Sequence, residues 1–277
     1  GRDVGHDAQA EDGQALDREA ALLRKKAGEA WDWQPLAALL FGALCLTLME
    51  YFGHAPTWGA LLDVLDPPGA PRTTWAAQIR DSQWLELSDF VWWAGWRVLG
   101  YFVLPALFTK LVLRGKVVDH GLRAKGVLRH AWAYGLAYCF VLVLVVAVSF
   151  TREFSTYYPF YKQAHRSWVD FGCWELLYAA QFFSLEFFFR GFWLKAMRRS
   201  LGSYAIFAMV VPYCMIHFSK PFAECLGAIL AGVALGTLAM RTRSIWLGFA
   251  IHVSVALSMD TAALLQGEGL PHHLWPT

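Results

Sequence analysis

Between Ala131 and Phe150 the chain runs for twenty residues without one charged side chain. About 20 apolar residues, at 1.5 Å of rise each, is the length that carries a helix across the hydrocarbon of a bilayer. Lipid offers no partner to a backbone N–H or C=O, so a single such segment must satisfy its own groups by coiling into a helix. Six further segments read the same way, at 35–52, 88–113, 171–195, 203–219, 222–240 and 244–265. The stretch 55–85, with Trp58, Leu61, Leu62 and Trp75, has the composition of a re-entrant or interfacial helix, which sets the range at six to eight. The predicted fold is an all-α polytopic membrane bundle of about seven transmembrane helices. Composition agrees: hydrophobic residues make up 57% and charged residues 17%, against roughly 45–50% and 25% in soluble domains. A disordered chain, a disulfide-stapled secreted domain and an ordinary soluble enzyme are excluded.

A net charge of +2, with no basic patch interleaved with aromatics, argues against a nucleic-acid partner. Cys45, Cys139, Cys173, Cys214 and Cys225 lie in or beside apolar runs and form no CxxC pair, so they read as small packing residues. The polar stretch 1–33 shows no basic-then-apolar leader pattern, and Ala15–Ala30 reads as a charged surface helix with Leu16, Leu22 and Leu23 on one side. Residues 34–114 then supply two membrane helices with an outer loop, 115–265 a membrane core, and 266–277 a polar tail. Arg and Lys concentrate in loops 114–129, 195–200 and 241–243. By the positive-inside bias this predicts a cytoplasmic N-terminus in a cell membrane, with a bacterial cytoplasmic membrane fitting the loop pattern. The run Tyr157–Tyr161 would then sit in an outer aromatic belt. The absence of an internal repeat argues against a transporter built of duplicated halves.

Ionisable groups at membrane depth are costly and therefore informative. They are Glu50, Arg97, Glu175, Glu186, Arg190, His217, Glu224, His252 and Asp260. Glu50 and Glu224 lie near segment ends, and Arg97 either snorkels or meets a carboxylate. Glu186 and Arg190 are four residues apart amid phenylalanine, on one face of an α-helix. A buried ion pair that pins helix packing is one reading of them. His217 and His252, on two other helices near the same depth, add a second. A carboxylate and an imidazole can take a proton from water while another imidazole stabilises the oxyanion. That is peptide hydrolysis without a cofactor. Two histidines and a glutamate with an open fourth position would also suit zinc, although no HExxH spacing is present.

These motifs resemble the CPBP family, the CAAX-protease and bacteriocin-processing group of glutamic-type intramembrane proteases. The resemblance covers roughly 115–265. It is carried by Glu186 to Arg190 followed by Gly191, by an aromatic four residues before His217, by His252 on the last helix, and by the stretch from Leu235-Gly236-Thr237-Leu238 to Arg241-Thr242-Arg243-Ser244-Ile245-Trp246. It implies a membrane helical core with a cavity, a Glu and the first His activating water, a second His and an Asn binding the oxyanion, and an Arg orienting the acidic motif. Glu186 then matches the second Glu of EExxxR, Arg190 its Arg, and His217 and His252 the two histidines. The first Glu is Leu185 here, and the Asn or Asp four residues after the last His is Ala256. Asp260 and Glu224 are auxiliary candidates for the missing polar groups. The expected activity is intramembrane endopeptidase action on a membrane-anchored protein or peptide, with Glu186 as base, His217 assisting and His252 as oxyanion donor. A non-catalytic scaffold or immunity protein of the same build is the alternative.

Overall fold

The structure, a computed structural model, describes Arg18, Ala21, Leu22, 32–67, Gly69 and 74–276. Arg18, Ala21 and Leu22 are helical, and the rest of the helix expected over Ala15–Ala30 lies outside the described residues. Among the described residues the regular structure is helical and no strand occurs, so the chain is an all-α membrane helix bundle. Five helical stretches are long and apolar enough to cross a bilayer: Trp33–Phe52, Leu85–Leu111, Val127–Ser149, Phe222–Thr242 and Trp246–Gln266.

The other two expected spans differ, for visible reasons. The segment 171–195 becomes part of a longer winding: α-helix over Trp168–Glu186, a π-helical turn over Phe187–Trp193, then α-helix again over Leu194–Leu201. Asp170, Glu175, Glu186 and Arg190 lower its apolarity. The segment 203–219 becomes a short helix, Ala205–Met215, with Pro212 inside it. Eleven residues rise about 16 Å, roughly half the hydrocarbon thickness. The stretch after the first span forms helices of eleven and six residues, Ala55–Leu65 and Trp75–Arg80, neither long enough to cross.

We label the elements used below α1 (Leu85–Val98), α2 (Ala131–Ser149), α3 (Trp168–Glu186), α4 (Ala205–Met215), α5 (Phe222–Thr242) and α6 (Trp246–Gln266). The chain falls into two compact units, each drawn from separated stretches.

One unit comprises Cys45–Leu104, Gly126–Glu186 and Trp246–Thr277. Here α3 packs on α1 and α6, and α6 packs on α2. Its core is aromatic: Trp174 stacks on Tyr178 at 4.8 Å, Phe90 meets Trp174 edge-on at 4.7 Å, and Leu87, Tyr161, Ala256 and Leu264 close the cluster. The Tyr138 hydroxyl and Ser258 Oγ, 2.8 Å apart, tie α2 to α6. The start of α3 is held by a buried polar knot around Asp170, which is wholly inaccessible. Its carboxylate accepts from Tyr161 OH at 2.5 Å, Ser167 Oγ at 2.5 Å and Arg166 Nη2 at 2.6 Å, while its backbone N–H donates to Ser167 Oγ at 3.0 Å. The pair with Asp170 holds Arg166 above its ordinary pKa range, and the guanidinium lies 5.0 Å over the Trp84 ring. The tail also takes part. Two of the first N–H groups of α3, those of Trp168 and Val169, donate to the carbonyls of His273 and Leu274 at 3.0 and 3.1 Å. Helix starts leave such donors without intrahelical partners, so residues 273–274 act as a cap.

The second unit comprises the described residues up to Leu44 with Pro105–Lys125 and Phe187–Ile245. Its centre is the π-helical turn, whose seven residues are all buried. Gly191 is required there: a Cβ would strike the carbonyl oxygen of His120 in the loop that crosses it. Gly121, at φ +83°, sits against Ile245 in the same way and accepts the Ile245 N–H at 3.0 Å. Helix α5 lies on α4 through Gly232 and Gly236, where an added Cβ would meet Val210 and Met209 at 2.9 Å. Small residues let membrane helices approach closely enough for dispersion to hold them.

Candidate active site

Glu186 closes α3 and His252 sits one turn and a half into α6. The packing of α3 on α6 brings them together: His252 Nδ1 is 3.1 Å from Glu186 Oε1. The same nitrogen is 3.1 Å from the carbonyl oxygen of Gly248. A carbonyl only accepts, so Nδ1 carries the proton and donates, and Nε2 is left for other work. Two features make the approach possible. Gly248, one turn before His252, has no side chain, and a Cβ there would run into the Glu186 carboxylate. Phe182, one turn before Glu186, stacks on the imidazole at 5.1 Å and 23°. Access is unequal within the pair. The Glu186 side chain is 1% exposed and that of His252 14%, so the imidazole is the more accessible member.

The other two candidates lie in the second unit, joined through one aromatic ring. The Arg190 guanidinium carbon lies 4.0 Å over the Tyr213 ring, a cation–π contact of the close, desolvated kind. Tyr213 meets the His217 ring edge-on at 4.9 Å, and His217 Nδ1 donates to the Tyr213 carbonyl at 2.7 Å. Both histidines thus hold Nδ1–H on the carbonyl four residues earlier and keep Nε2 turned from their own backbone. The turn after His217 is fixed by its carbonyl, which accepts from Lys220 N at 2.8 Å and from the Cys225 thiol at 2.8 Å.

The auxiliary candidates have other engagements. Glu224 pairs with Lys220 at 3.3 Å. Asp260, wholly buried, accepts from Trp174 Nε1 at 2.6 Å and neighbours Glu175. It lies eight residues beyond His252, about 12 Å along the helix, too far to replace an oxyanion donor at that imidazole. Among its described contacts Arg97 meets no carboxylate: its guanidinium lies near the rings of Trp93 and Tyr101, at 5.8 and 5.9 Å. Leu185 and Ala256, the two departures from the motif, are both buried, and Ala256 belongs to the Trp174–Tyr178 cluster. An amide in that aromatic packing would need partners of its own. Among the described residues no group of three or more His, Cys, Asp or Glu gathers as a ligand set for a metal ion.

Sequence reasoning did not select Phe182, Gly248 or Tyr213 as site residues. The signal for Tyr213 was present as the aromatic four residues before a histidine. Gly248 stands at the same offset from His252, where a missing side chain is the useful property.

Residues 167–258 match the family model described as Rce1-like, type II CAAX prenyl endopeptidase Rce1-like. This is the group that the motifs resemble, and the matched stretch holds Glu186, Arg190, His217 and His252. No curated protein and no solved structure gives a significant match to the chain. The match supports a membrane-protease type of function, in a chain with five helices long and apolar enough to cross a membrane.

Proposed function

We propose that the protein is an intramembrane endopeptidase that hydrolyses a peptide bond in a membrane-anchored protein or peptide, with water activated by a carboxylate–imidazole pair and no metal in any step. The observation that carries this is the 3.1 Å contact between Glu186 Oε1 and the protonated Nδ1 of His252, with the imidazole the more accessible of the two. Nε2 of His252 takes a proton from the attacking water, and Glu186 behind the ring stabilises the imidazolium that forms, as the acid of a hydrolytic triad does. The same proton passes to the leaving nitrogen when the C–N bond breaks. This shifts Glu186 from direct base to the group that orients and compensates the base.

Motif order makes His217 the imidazole that assists the Glu and His252 the oxyanion donor; the contact with Glu186 gives His252 the proton-accepting place instead, and Arg190 is the cation that steadies Tyr213 and through it His217. The proposed setting is a bacterial cytoplasmic membrane, N-terminus inside. A non-catalytic scaffold or immunity role is the second reading, favoured by Leu185 and Ala256, where apolar packing stands in place of the family's polar groups.

The test compares membranes holding the wild type, Glu186→Gln and His252→Ala at matched protein levels, by quantitative terminal proteomics. Glu186→Gln keeps the shape of the side chain beside the His252 ring and removes the charge. Rate losses of about a hundred- to ten-thousandfold are expected for such acid–base groups. Termini that vanish in both variants support the enzyme and identify its substrate. Unchanged termini with folded variants leave the scaffold.

A further inference from the structure

The two short helices after the first span and the start of α1 surround a cavity of about 460 Å³. It lies wholly inside the stretch Cys45–Leu104 of one unit. Polar contacts between the helices hold its walls. Trp58 Nε1 donates to Ser88 Oγ at 2.9 Å, which ties Ala55–Leu65 to α1. Arg80 Nη2 donates to Asp63 Oδ1 at 2.5 Å, which ties Trp75–Arg80 to Ala55–Leu65. Thr74 Oγ1 accepts from Ala77 N at 3.1 Å, as a helix cap, and donates to Asp66 at 3.1 Å.

The lining divides by chemistry. Leu62 and Leu85 give it an apolar wall, and Asp63, Arg80 and Asp89 give it charge. Asp63 and Arg80 offset each other as an ion pair. Asp89 has no such relief. It is half-buried, the charge that bears on it is Glu86, another carboxylate, and among the described residues no basic side chain pairs with it. The cavity therefore holds one negative charge in excess. A carboxylate drawn partly out of water beside a second one is stabilised by an incoming cation. The same surplus repels a phosphate, so an ethanolamine headgroup, whose amine stands next to one, fits less well than a basic side chain. Lys and Arg offer an apolar stem for the two leucines and a charged head for Asp89. Room is left by Gly59, also in the lining, where an added Cβ would meet nothing within 4 Å.

We propose that this cavity binds the basic side chain, Lys or Arg, of a peptide. Neither Glu186 nor His252 lines it, and the proposal does not depend on the endopeptidase reading.

The experiment titrates the purified full chain, in neutral detergent at constant ionic strength, and follows the thermal unfolding midpoint. The ligands are the N-acetyl amides of lysine, arginine and norleucine, and dihexanoyl phosphatidylethanolamine. The expected result is a saturable rise with at least one of the two basic amides and with neither of the other ligands. Asp89→Asn should weaken the apparent affinity about tenfold, the effect of losing one charge-assisted contact. Gly59→Leu, which fills the cavity, should abolish the response. Glu153→Gln, which removes an exposed acid outside the cavity, should leave it unchanged. An equal response to norleucine amide would overturn the role of the carboxylate, and an equal response to phosphatidylethanolamine would overturn the peptide as the occupant. No response, an undiminished one in Asp89→Asn or Gly59→Leu, or an equal loss in Glu153→Gln would overturn the site itself. Circular dichroism of each variant separates misfolding from lost binding.

Discussion

Two imidazoles of this chain face opposite charges, and each makes a distinct prediction. His120 lies against Lys195, and burial together with that charge holds its pKa at about 4 against an ordinary 6.5. Lys116 accepts its Nδ1–H through a backbone carbonyl, and Asp119 opposes the shift weakly. Because the folded value is the lower one, the unfolded chain takes up the proton first as pH falls. This contribution to stability is complete above pH 6.5 and is lost on the way down to 4. Its size is of order 3 kcal/mol. The fall in melting temperature between pH 7 and 4.5 should therefore shrink in His120→Gln; an undiminished fall would refute the assignment. His252 lies against Glu186, and Gly248 provides the space. Gly248→Ala should push the carboxylate aside, cost roughly 1–3 kcal/mol of stability, and reduce cleavage as Glu186→Gln does. Full activity in a folded Gly248→Ala protein would show that the carboxylate does not act from this position. The sequence named both members of the Glu186–His252 pair because lipid makes ionisable residues conspicuous. It hid Gly248 and Phe182, since their contribution is a gap and a ring among many glycines and aromatics.

At the scale of elements, α3 is the piece on which the candidate site depends, and its start is held by a charge. Asp170 meets Arg166, Ser167 and Tyr161 at once, with no access to solvent. Removing one partner of a buried pair strands the other, at a cost of about 3–5 kcal/mol. Ser167→Ala, which loses the cap and one donor to the carboxylate but keeps the ion pair, should cost less, about 1–2 kcal/mol. Chemical unfolding of Asp170→Ala and Ser167→Ala measures both, and equal effects would mean that the ion pair contributes nothing. Ser167-x-x-Asp170 ahead of an apolar run is a capping pattern, but a reading of spans by apolar length passes over it. What periodicity could not reveal is the π-helical turn after Glu186. The four-residue spacing to Arg190 was read on a regular α-helix, whereas Phe187–Trp193 winds with i to i+5 bonds.

For the whole molecule, apolar length alone made the helical membrane class readable, because the bilayer permits so few backbone solutions. The number of spans was less legible. A segment such as 203–219 is apolar enough in composition, yet its helix ends at Met215, before the Lys220–Pro221 turn. Orientation stays a prediction from loop charge. Single cysteines at Lys125 and at Lys162, placed in a variant lacking the natural ones, should differ in intact cells: an impermeant maleimide should label position 162 and spare 125. The reverse pattern would invert the proposed topology. The tail carries a different kind of lesson, for whoever handles the protein. Its carbonyls at 273 and 274 finish the helix that bears Glu186, so a purification handle fused hard against Leu274, or a carboxypeptidase left in the preparation, would be felt at the far end of that helix. Loss of activity after such treatment would look like damage to the chemistry, when the injury was done to a cap.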